Sequence, residues 1–177
     1  KGASHFYDNP GWRSMHAFTR HQEMLKLAGI DVKKPDISWM KVDVSALAPP
    51  KPYVLLIPGS APQHPEKRWP ALRYGALARK LELQGYHSVI LGTHAEADVT
   101  GRIKKSCPAA IDLSGRTSLF DIATLAFDAA ITVGNDTGPT HIAALAGCRT
   151  VVLFATSMSD PGRSAPLGET FIIQADD

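Results

Sequence analysis

The stretch Val133–Gly147, VGNDTGPTHIAALAG, carries residue types suited to holding a charged ligand. An apolar run ends there in Gly134, Asn135 and Asp136, and a segment of helical character follows at once. Glycines let a ligand approach the backbone closely, and the first N–H groups of a helix favour an anion. We therefore expect a helix that begins near Thr137 to direct its free N–H groups at a phosphate or diphosphate.

Basic and hydroxyl side chains earlier in the chain could complete such an anion site. Lys67 and Arg68 precede a predicted helix, and Ser60 follows the apolar run YVLLI. Two adjacent basic residues in a loop are, by themselves, more often a solvated charge pair than a binding site. Because several glycine-bearing strand ends accompany them, we favour a phosphate site that uses Lys67 and the Ser60 hydroxyl.

Two further titratable residues follow predicted strand ends. Glu96 comes shortly after Gly92-Thr93-His94 and suits a ribose hydroxyl, as the acidic residue of dinucleotide-binding folds does. A Glu in a first helical turn also simply stabilises the helix dipole. His141, at a helix start, is more often structural, but beside Asp136 it could donate to a phosphate.

Several familiar chemistries lack their motifs in this sequence. It contains no GxxxxGK[ST], which argues against a P-loop kinase or NTPase, and no GxGxxG after the first strand, which argues against a dinucleotide oxidoreductase. His141 has no His or Cys partner at metal-ligand spacing, so no metal site is predicted. Cys107 and Cys148 lack CxxC spacing and are interpreted as reduced structural thiols.

Short apolar strands alternate with helices from Tyr53 onwards, and these elements must position the candidate residues. The predicted strands are YVLLI (53–57), HSVILG (87–92), AIDL (110–113), AAITVG (129–134) and TVVLFA (150–155). The predicted helices are 70–85, 96–105, 118–128 with a capping-box pattern at Ser118 and Asp121, and 140–147. Nearly continuous apolar strands between helices predict a doubly wound α/β domain with a parallel sheet. Ligands of such sheets bind outside the carboxyl ends of the strands.

The first 52 residues have a different pattern. A helix is predicted over 16–28 and ends at Gly29, and the scattered apolar residues that follow end in Pro49, Pro50 and Pro52. Because one helix and a linker cannot bury a core, we interpret residues 1–52 as the tail of a preceding domain plus a linker. Residues 53–177 are then the ligand-binding domain. The chain begins with Lys1, which fits a piece of a longer protein.

The composition of the chain argues against some classes of binding partner. The chain has 177 residues, of which 44% are hydrophobic and 20% charged, as in ordinary globular domains. A formal net charge of +2 gives no reason to expect nucleic acid as a partner. No apolar run approaches the roughly 20 residues of a membrane span.

Five segments appear in the order that one known family shows: PGS, KRWP, LGTHAEAD, IDLSGRTSLFDIATL and VGNDTGPTHIAAL. Between Tyr53 and Phe154 the chain resembles the C-terminal half of the heptosyltransferases, glycosyltransferase family 9. These bacterial enzymes build the lipopolysaccharide core from ADP-activated heptose. The resemblance implies the Rossmann-like donor-binding domain of a two-domain GT-B glycosyltransferase, with an ADP-sugar as donor substrate and no separate cofactor. The helix TRHQEMLKLAGI resembles the last segment of the family's N-terminal domain.

The resemblance also implies roles for individual residues. Those that would face the diphosphate and sugar are Lys67, Asp136, Thr137 and Gly138, with Lys67 and Asp136 as the catalytic residues of this half. Glu96 would bind the ribose, and His141 would support the charged residues. The loop that would line the adenine consists of Thr117, Ser118 and Leu119.

The implied reaction is inverting and metal-independent. An acceptor hydroxyl on the lipopolysaccharide core or lipid A, deprotonated by an Asp of the N-terminal domain, would attack the anomeric carbon through an oxocarbenium-like transition state. Residues 1–177 lack that base, so we expect them to bind donor without turnover. The protein would be cytoplasmic, or peripheral at the inner membrane.

Alternatives remain open on the sequence alone. The segment Ala155-Thr156-Ser157 stands where the family often has Gly-Pro-Thr, which leaves the donor sugar undecided. The chain could also be a non-catalytic nucleotide-sugar-binding module or a transferase for a different nucleotide sugar. A related sugar-nucleotide epimerase would need additional carboxylates near the sugar, and no such cluster is evident.

Overall fold

The computed structural model describes residues 10–33, 35–155 and 159–175. Their strands are β1 (Tyr53–Ile57), β2 (His87–Ile90), β3 (Ile111–Asp112), β4 (Ile131–Asn135), β5 (Thr150–Ala155) and β6 (Thr170–Ala175). Their α-helices are α1 (Ala17–Leu27), α2 (Ala71–Leu83), α3 (Ala97–Ser106), α4 (Leu119–Asp128), α5 (Gly138–Leu145) and α6 (Pro161–Ser164). Among these described residues, no helix is both long and apolar enough to cross a membrane.

The strands form one parallel sheet in the order β3-β2-β1-β4-β5-β6. Val54 of β1 pairs with Ser88 of β2 on one side and with Ile131 of β4 on the other. The chain therefore builds outward from β1 to β3, then returns to β4 and builds in the opposite direction. The predicted doubly wound parallel α/β fold is confirmed, and the strand order reverses between β1 and β4, where such sheets bind ligands.

Both faces of the sheet are buried, which explains why β1 is apolar at every position. Alternate side chains of a strand point to opposite faces. Val54 and Leu56 belong to a core cluster with Tyr74 of α2 and Ile103 of α3. The other β1 side chains, such as Leu55, pack in a second cluster with residues of α4 and α5.

The predicted helices are present to within a few residues of their expected ends. α4 begins with the predicted capping box, since Ser118 Oγ accepts from Asp121 N at 3.2 Å and Asp121 Oδ2 accepts from Ser118 N at 2.8 Å. α2 lies between Pro70 and Gly85, whose φ of 83° suits glycine. α5 has Thr137 as its N-cap, so the helix start expected near Thr137 is confirmed.

Strand β6 was not predicted. It pairs with β5 along six residues, from Thr170 opposite Thr150 to Ala175 opposite Ala155. It lies at the edge of the sheet, where Phe171 and Ile173 are more than half exposed. A short apolar run without a periodic neighbour is ambiguous in sequence, and only its pairing with β5 identifies it as a strand.

The segment predicted as a linker packs against the domain. Met40 is buried, and Ile37, Val44 and Leu47 contact the α4–α5 core cluster. The Val42 N–H donates to Thr124 Oγ1 of α4 at 3.0 Å. The boundary at residue 53 stays a prediction, and Lys1 and Thr156–Ser157 lie outside the described residues.

Candidate functional site

A cleft of about 430 Å³ lies outside the carboxyl ends of β1, β2 and β4, beside the reversal in strand order. Its volume falls in the range of about 300–1,000 Å³ that is typical for small-molecule sites. We call it the switch-point cleft. The predicted site residues on its wall are Ser60, Glu96, Thr117, Leu119, Thr137 and Gly138.

Three more predicted residues do not line the cleft but form a charged cluster, in which Asp136 directly precedes Thr137 of the cleft wall. Lys67 Nζ donates to Asp136 Oδ2 at 3.1 Å, and His141 Nε2 lies 3.2 Å from Asp136 Oδ1. The Asp136 side chain is only 9% exposed, and that of Lys67 is 20% exposed. The fold thus joins two residues 69 positions apart in sequence, because the loop after β1 and the end of β4 meet at one edge of the sheet.

Asp136 is held in its ionised form. Burial raises the pKa of this carboxyl, but the hydrogen bonds from His141 and Lys67 and their charges outweigh burial and bring the pKa below its ordinary value of 3.8. An ionised carboxylate can only accept, so His141 Nε2 carries a proton. Asp136 therefore orients both neighbouring basic groups.

The start of α5 offers free donors beside the charged cluster. Thr137 makes no side-chain capping hydrogen bond, and its Oγ1 instead lies 3.2 Å from Thr140 Oγ1. Because the first N–H groups of a helix lack intrahelical partners, those near Gly138 can bind an anion in the switch-point cleft. Lys67 has three N–H donors, of which Asp136 uses one.

Asn135 is a structural centre of the site that sequence reasoning missed. Its side chain is fully buried, and its Nδ2 donates to Pro58 O at 2.9 Å and Gly59 O at 3.1 Å. Its Oδ1 accepts from Trp69 N and lies 3.1 Å from the Tyr74 hydroxyl. One amide thereby ties the end of β4 to the loop after β1 and to the start of α2. Its place at the end of a buried apolar strand was the available signal.

Ser60 has its hydroxyl occupied by protein groups. Ser60 Oγ donates to His64 O at 2.7 Å and accepts from Arg68 Nε at 2.9 Å. Arg68 Nη2 also donates to Ser60 O at 3.3 Å. These bonds hold the loop that carries Lys67, while direct contact of Ser60 with a phosphate stays a prediction.

Glu96 is buried between two glycine-bearing loops. Its Oε2 accepts from Thr93 N and Thr93 Oγ1, both at 2.6 Å, which completes a capping box. Its Oε1 would lie 2.7 Å from a Cβ built on Gly59, so a side chain at that position would displace the carboxylate. The helix-start interpretation is confirmed, and Oε1 remains the oxygen available for the predicted ribose contact.

The predicted adenine loop divides into two parts. Thr117 and Leu119 line the switch-point cleft, and the buried Thr117 Oγ1 has no hydrogen-bond partner in the part of the chain that the structure describes. Leu119 is 52% exposed, which leaves an apolar surface at the mouth of the cleft. Ser118 instead bonds Asp121 as the cap of α4, and the structure does not place it on the cleft wall.

Other predicted features lie apart from the cleft. Cys107 and Cys148 are both free and buried. Burial raises the pKa of each thiol, as expected of unreactive structural cysteines. In the ranges that the structure describes, no group of three His, Cys, Asp or Glu side chains could hold a metal ion.

Residues 12–175 match the family model described as glycosyltransferase family 9 (heptosyltransferase). The chain is 30% identical over 130 residues to lipooligosaccharide heptosyltransferase 2 of Haemophilus influenzae, covering 71% of this chain and 37% of that protein. It is 29% identical over 120 residues to lipopolysaccharide heptosyltransferase 2 of Escherichia coli, covering 65% and 34%. The chain therefore spans little more than a third of the length of these curated relatives.

Solved structures show the same architecture. The ADP-heptose lipopolysaccharide heptosyltransferase II of Escherichia coli aligns with a TM-score of 0.66 and 26% identity, over 81% of this chain and 44% of that one. The Escherichia coli heptosyltransferase WaaC, solved with ADP, aligns with a TM-score of 0.70 and 20% identity, over 92% and 51%. The second likeness supports the fold alone.

Proposed function

Because this chain belongs to glycosyltransferase family 9, the heptosyltransferases, we propose that it is the donor-binding half of an enzyme that transfers heptose from ADP-heptose to the lipopolysaccharide core or lipid A. The resemblance drawn from the sequence motifs is confirmed at the level of the family. The observation that carries the proposal is the switch-point cleft, whose wall residue Thr137 directly follows Asp136 of the charged cluster formed with Lys67 and His141.

The cleft and the charged cluster match the parts of a nucleotide sugar. The apolar mouth at Leu119 and the Thr117 hydroxyl suit a base, and Glu96 Oε1 suits a ribose hydroxyl. The uncapped start of α5 and the Lys67 ammonium suit the diphosphate. In this proposed order the sugar would lie beyond the diphosphate, towards the charged cluster.

In the proposed reaction, the bond between the anomeric carbon and the diphosphate oxygen breaks as an acceptor oxygen attacks from the opposite face. Negative charge grows on the departing ADP, and the Lys67 ammonium and the α5 N–H groups stabilise it without a metal. Asp136 keeps Lys67 and His141 in position through its two hydrogen bonds. The configuration at the anomeric carbon would invert.

The acceptor and its general base are assigned to the part of the relatives that this chain does not cover. The N-terminal domain of the full-length protein would supply an Asp that takes the acceptor proton. We therefore expect donor binding without turnover in this chain. On their own, residues 1–177 should bind ADP but should not transfer heptose. The reaction would take place in the cytoplasm, at the inner face of the membrane.

Titration calorimetry with ADP, UDP and GDP tests the donor assignment. We expect ADP to bind at least tenfold more tightly than UDP or GDP. The Lys67→Met variant should lose about tenfold in ADP affinity, because a charge-assisted contact of about 1.5 kcal/mol disappears. Lys80→Met, which changes an exposed lysine of α2, serves as the matched control and should bind ADP normally.

Two results would refute the proposal in different ways. A clear preference for UDP would remove the ADP-heptose assignment and leave the fold and the cleft intact. Equal ADP affinity in Lys67→Met and the wild type would show that the charged cluster is not part of the donor site.

A further inference from the structure

A second cleft, of about 280 Å³, lies between α1 and α6. We call it the α1/α6 cleft. It shares none of its lining residues with the switch-point cleft. The polar and charged side chains around it are Arg20, Ser159, Asp160, Arg163 and Ser164.

The charge in the α1/α6 cleft is unbalanced. Two guanidinium groups, of Arg20 and Arg163, face a single carboxylate, that of Asp160. Asp160 Oδ1 already accepts from Gly162 N at 2.8 Å, where it caps α6. Within the described ranges, neither guanidinium has a carboxylate within 4.0 Å. Among the described residues, the lining of the cleft therefore carries one more positive than negative side chain.

Two buried polar atoms at this cleft have no hydrogen-bond partner. They are Arg20 Nε and Ser159 Oγ, and their lack of a partner refers to the residues that the structure describes. Native structures leave few buried polar atoms unpaired, and a bound water or ion is one of the ways in which such atoms are satisfied. Arg20 Nε of α1 is a donor and the Ser159 hydroxyl of the β5–β6 connection can be one, so an acceptor oxygen could satisfy either atom.

Hydrogen bonds fix the two walls of the cleft relative to each other. His16 Nε2 donates to Ala165 O at 2.8 Å, while its Nδ1 accepts from Phe18 N at 3.2 Å. His16 thereby joins the start of α1 to the end of α6. Ser159 N donates to Ala155 O at 3.3 Å at the carboxyl end of β5. The arginines are therefore held on anchored elements, as a binding site requires.

We propose that the α1/α6 cleft binds one oxyanion group, a phosphate monoester or a carboxylate, carried by a sugar-sized ligand. Guanidinium groups match the planar oxygen pairs of both anions and bind them through charge-assisted hydrogen bonds. The two serine hydroxyls add neutral donors. A volume slightly below that of drug-sized pockets suits a ligand as small as a sugar phosphate. The site is separate from the proposed donor site and does not rest on it.

NMR titration tests this inference, because the Arg20 Nε–H gives its own signal in a ¹H–¹⁵N spectrum. The probes are inorganic phosphate, glucose 6-phosphate and glucuronate, added to the wild type and to Arg20→Met, Arg163→Met and Ser159→Ala. Backbone amide signals of Ser159, Asp160 and residues 162–164 report binding in the Arg20 variant, which lacks the side-chain signal. Arg79→Met, an exposed arginine of α2, is the matched control.

We expect saturable shifts of the Arg20 Nε–H signal with at least one probe. Affinity should fall about tenfold in Arg20→Met and in Arg163→Met, since each loses a charge-assisted contact, and should be unchanged in Arg79→Met. Ser159→Ala removes only one hydroxyl, so its affinity for the probe should fall a few-fold. It keeps the inference testable if the arginine variants misfold. Whichever of glucose 6-phosphate and glucuronate binds with the higher affinity identifies the preferred oxyanion as a phosphate monoester or a carboxylate.

The inference is overturned if no probe gives a saturable shift. It is also overturned if Arg20→Met, Arg163→Met and Ser159→Ala all bind as the wild type does. ADP affinity provides a separate readout and should be the same in Arg163→Met and the wild type. A parallel loss of ADP binding would make this cleft part of the donor site and would contradict a separate function.

Discussion

Asp136 acts on its surroundings through two short contacts, one to Lys67 and one to His141. A carboxylate beside a diphosphate would repel it, but the Lys67 ammonium at 3.1 Å offsets that charge. The hydrogen bond to Asp136 also restricts the Lys67 side chain, which has several rotatable bonds. Lys67 would therefore lose little further conformational freedom when a diphosphate binds. The same carboxylate makes the stability of this cluster depend on pH.

Replacing Asp136 with Asn should remove a pH-dependent part of the stability. Because the folded-state pKa lies below the ordinary value of 3.8, this carboxyl contributes stability above about pH 3.8 and loses it as the pH falls through the folded-state pKa. Urea denaturation at pH 6 and at pH 3 measures the effect. The free-energy advantage of the wild type over Asp136→Asn should shrink at the lower pH.

Asp98→Asn is the control for that experiment. The Asp98 side chain is 77% exposed and pairs with Arg102 on the surface of α3, where such pairs contribute little. If the difference between the wild type and Asp136→Asn is the same at both pH values, the ionised Asp136 is not the source of the stability.

Asn135 has a different task, which is to satisfy buried backbone groups. In Asn135→Ala the Trp69 N–H and the Pro58 and Gly59 carbonyls lose their partner. Each unsatisfied buried group costs about 1–3 kcal/mol, so we expect the free energy of unfolding to fall by about 3 kcal/mol. Urea denaturation measures the change.

The exposed Gln84, the C-cap of α2, provides the comparison for Asn135. Gln84→Ala should change the free energy of unfolding by less than about 0.5 kcal/mol. An Asn135→Ala variant as stable as Gln84→Ala would show that water replaces the amide without cost.

At the scale of elements, the contact between β4 and α5 determines where the start of α5, the proposed anion site, lies. A Cβ on Gly134 would overlap Thr140 Oγ1 and would lie 3.0 Å from Ile57 Cβ. Thr140 Oγ1 in turn donates to Asn135 O at 2.8 Å. The absence of a side chain at Gly134 therefore allows α5 to begin close to the end of β4.

Gly134→Ala should destabilise the protein by about 1–3 kcal/mol, as overpacking of a core does, and should weaken ADP binding because α5 must move. Thermal denaturation and calorimetry measure the two effects. Gly101→Ala is the matched control, since a Cβ at that position in α3 meets nothing within 4 Å. It should raise stability by up to about 1 kcal/mol. Two variants with similar stability would contradict the close contact between β4 and α5.

At the scale of the whole molecule, the edge strand β6 has an unusual surface. Phe171, Ile172 and Ile173 are 56%, 39% and 52% exposed, so apolar side chains emerge on both faces of the sheet edge. Exposed apolar edge strands favour association with other chains. We therefore expect the 177-residue chain to self-associate with increasing concentration.

Phe171→Thr should reduce this self-association, because it removes apolar surface and keeps a residue that favours strands. Sedimentation velocity over a range of concentrations measures it. Leu83→Gln is the control, since Leu83 is 82% exposed at the end of α2 and far from β6 in sequence. A chain that stays monomeric, or that responds equally to both substitutions, would rule out β6 as the contact surface.

Local signals explain which elements could be predicted. The Ser118–Asp121 capping box, the proline before α2 and the glycine after it are short-range features, and the structure has each one where expected. β6 carries no such signal, since its apolar run becomes a strand only through pairing with β5. Residues 35–48 likewise carry no local signal for their position, because their scattered apolar residues are buried only by packing against the α4–α5 core cluster.

The sequence by itself determined the parallel α/β class, the family, and the residue types at the strand ends, because apolar periodicity and motif order are local properties of the chain. Only the tertiary structure decided which of those residues meet. In the structure Lys67 donates a hydrogen bond to Asp136, and Arg68 donates one to the Ser60 hydroxyl. The Asn135 amide forms hydrogen bonds with backbone groups of two other segments. These contacts join residues far apart in sequence, and they depend on strand order and burial, which no local pattern encodes.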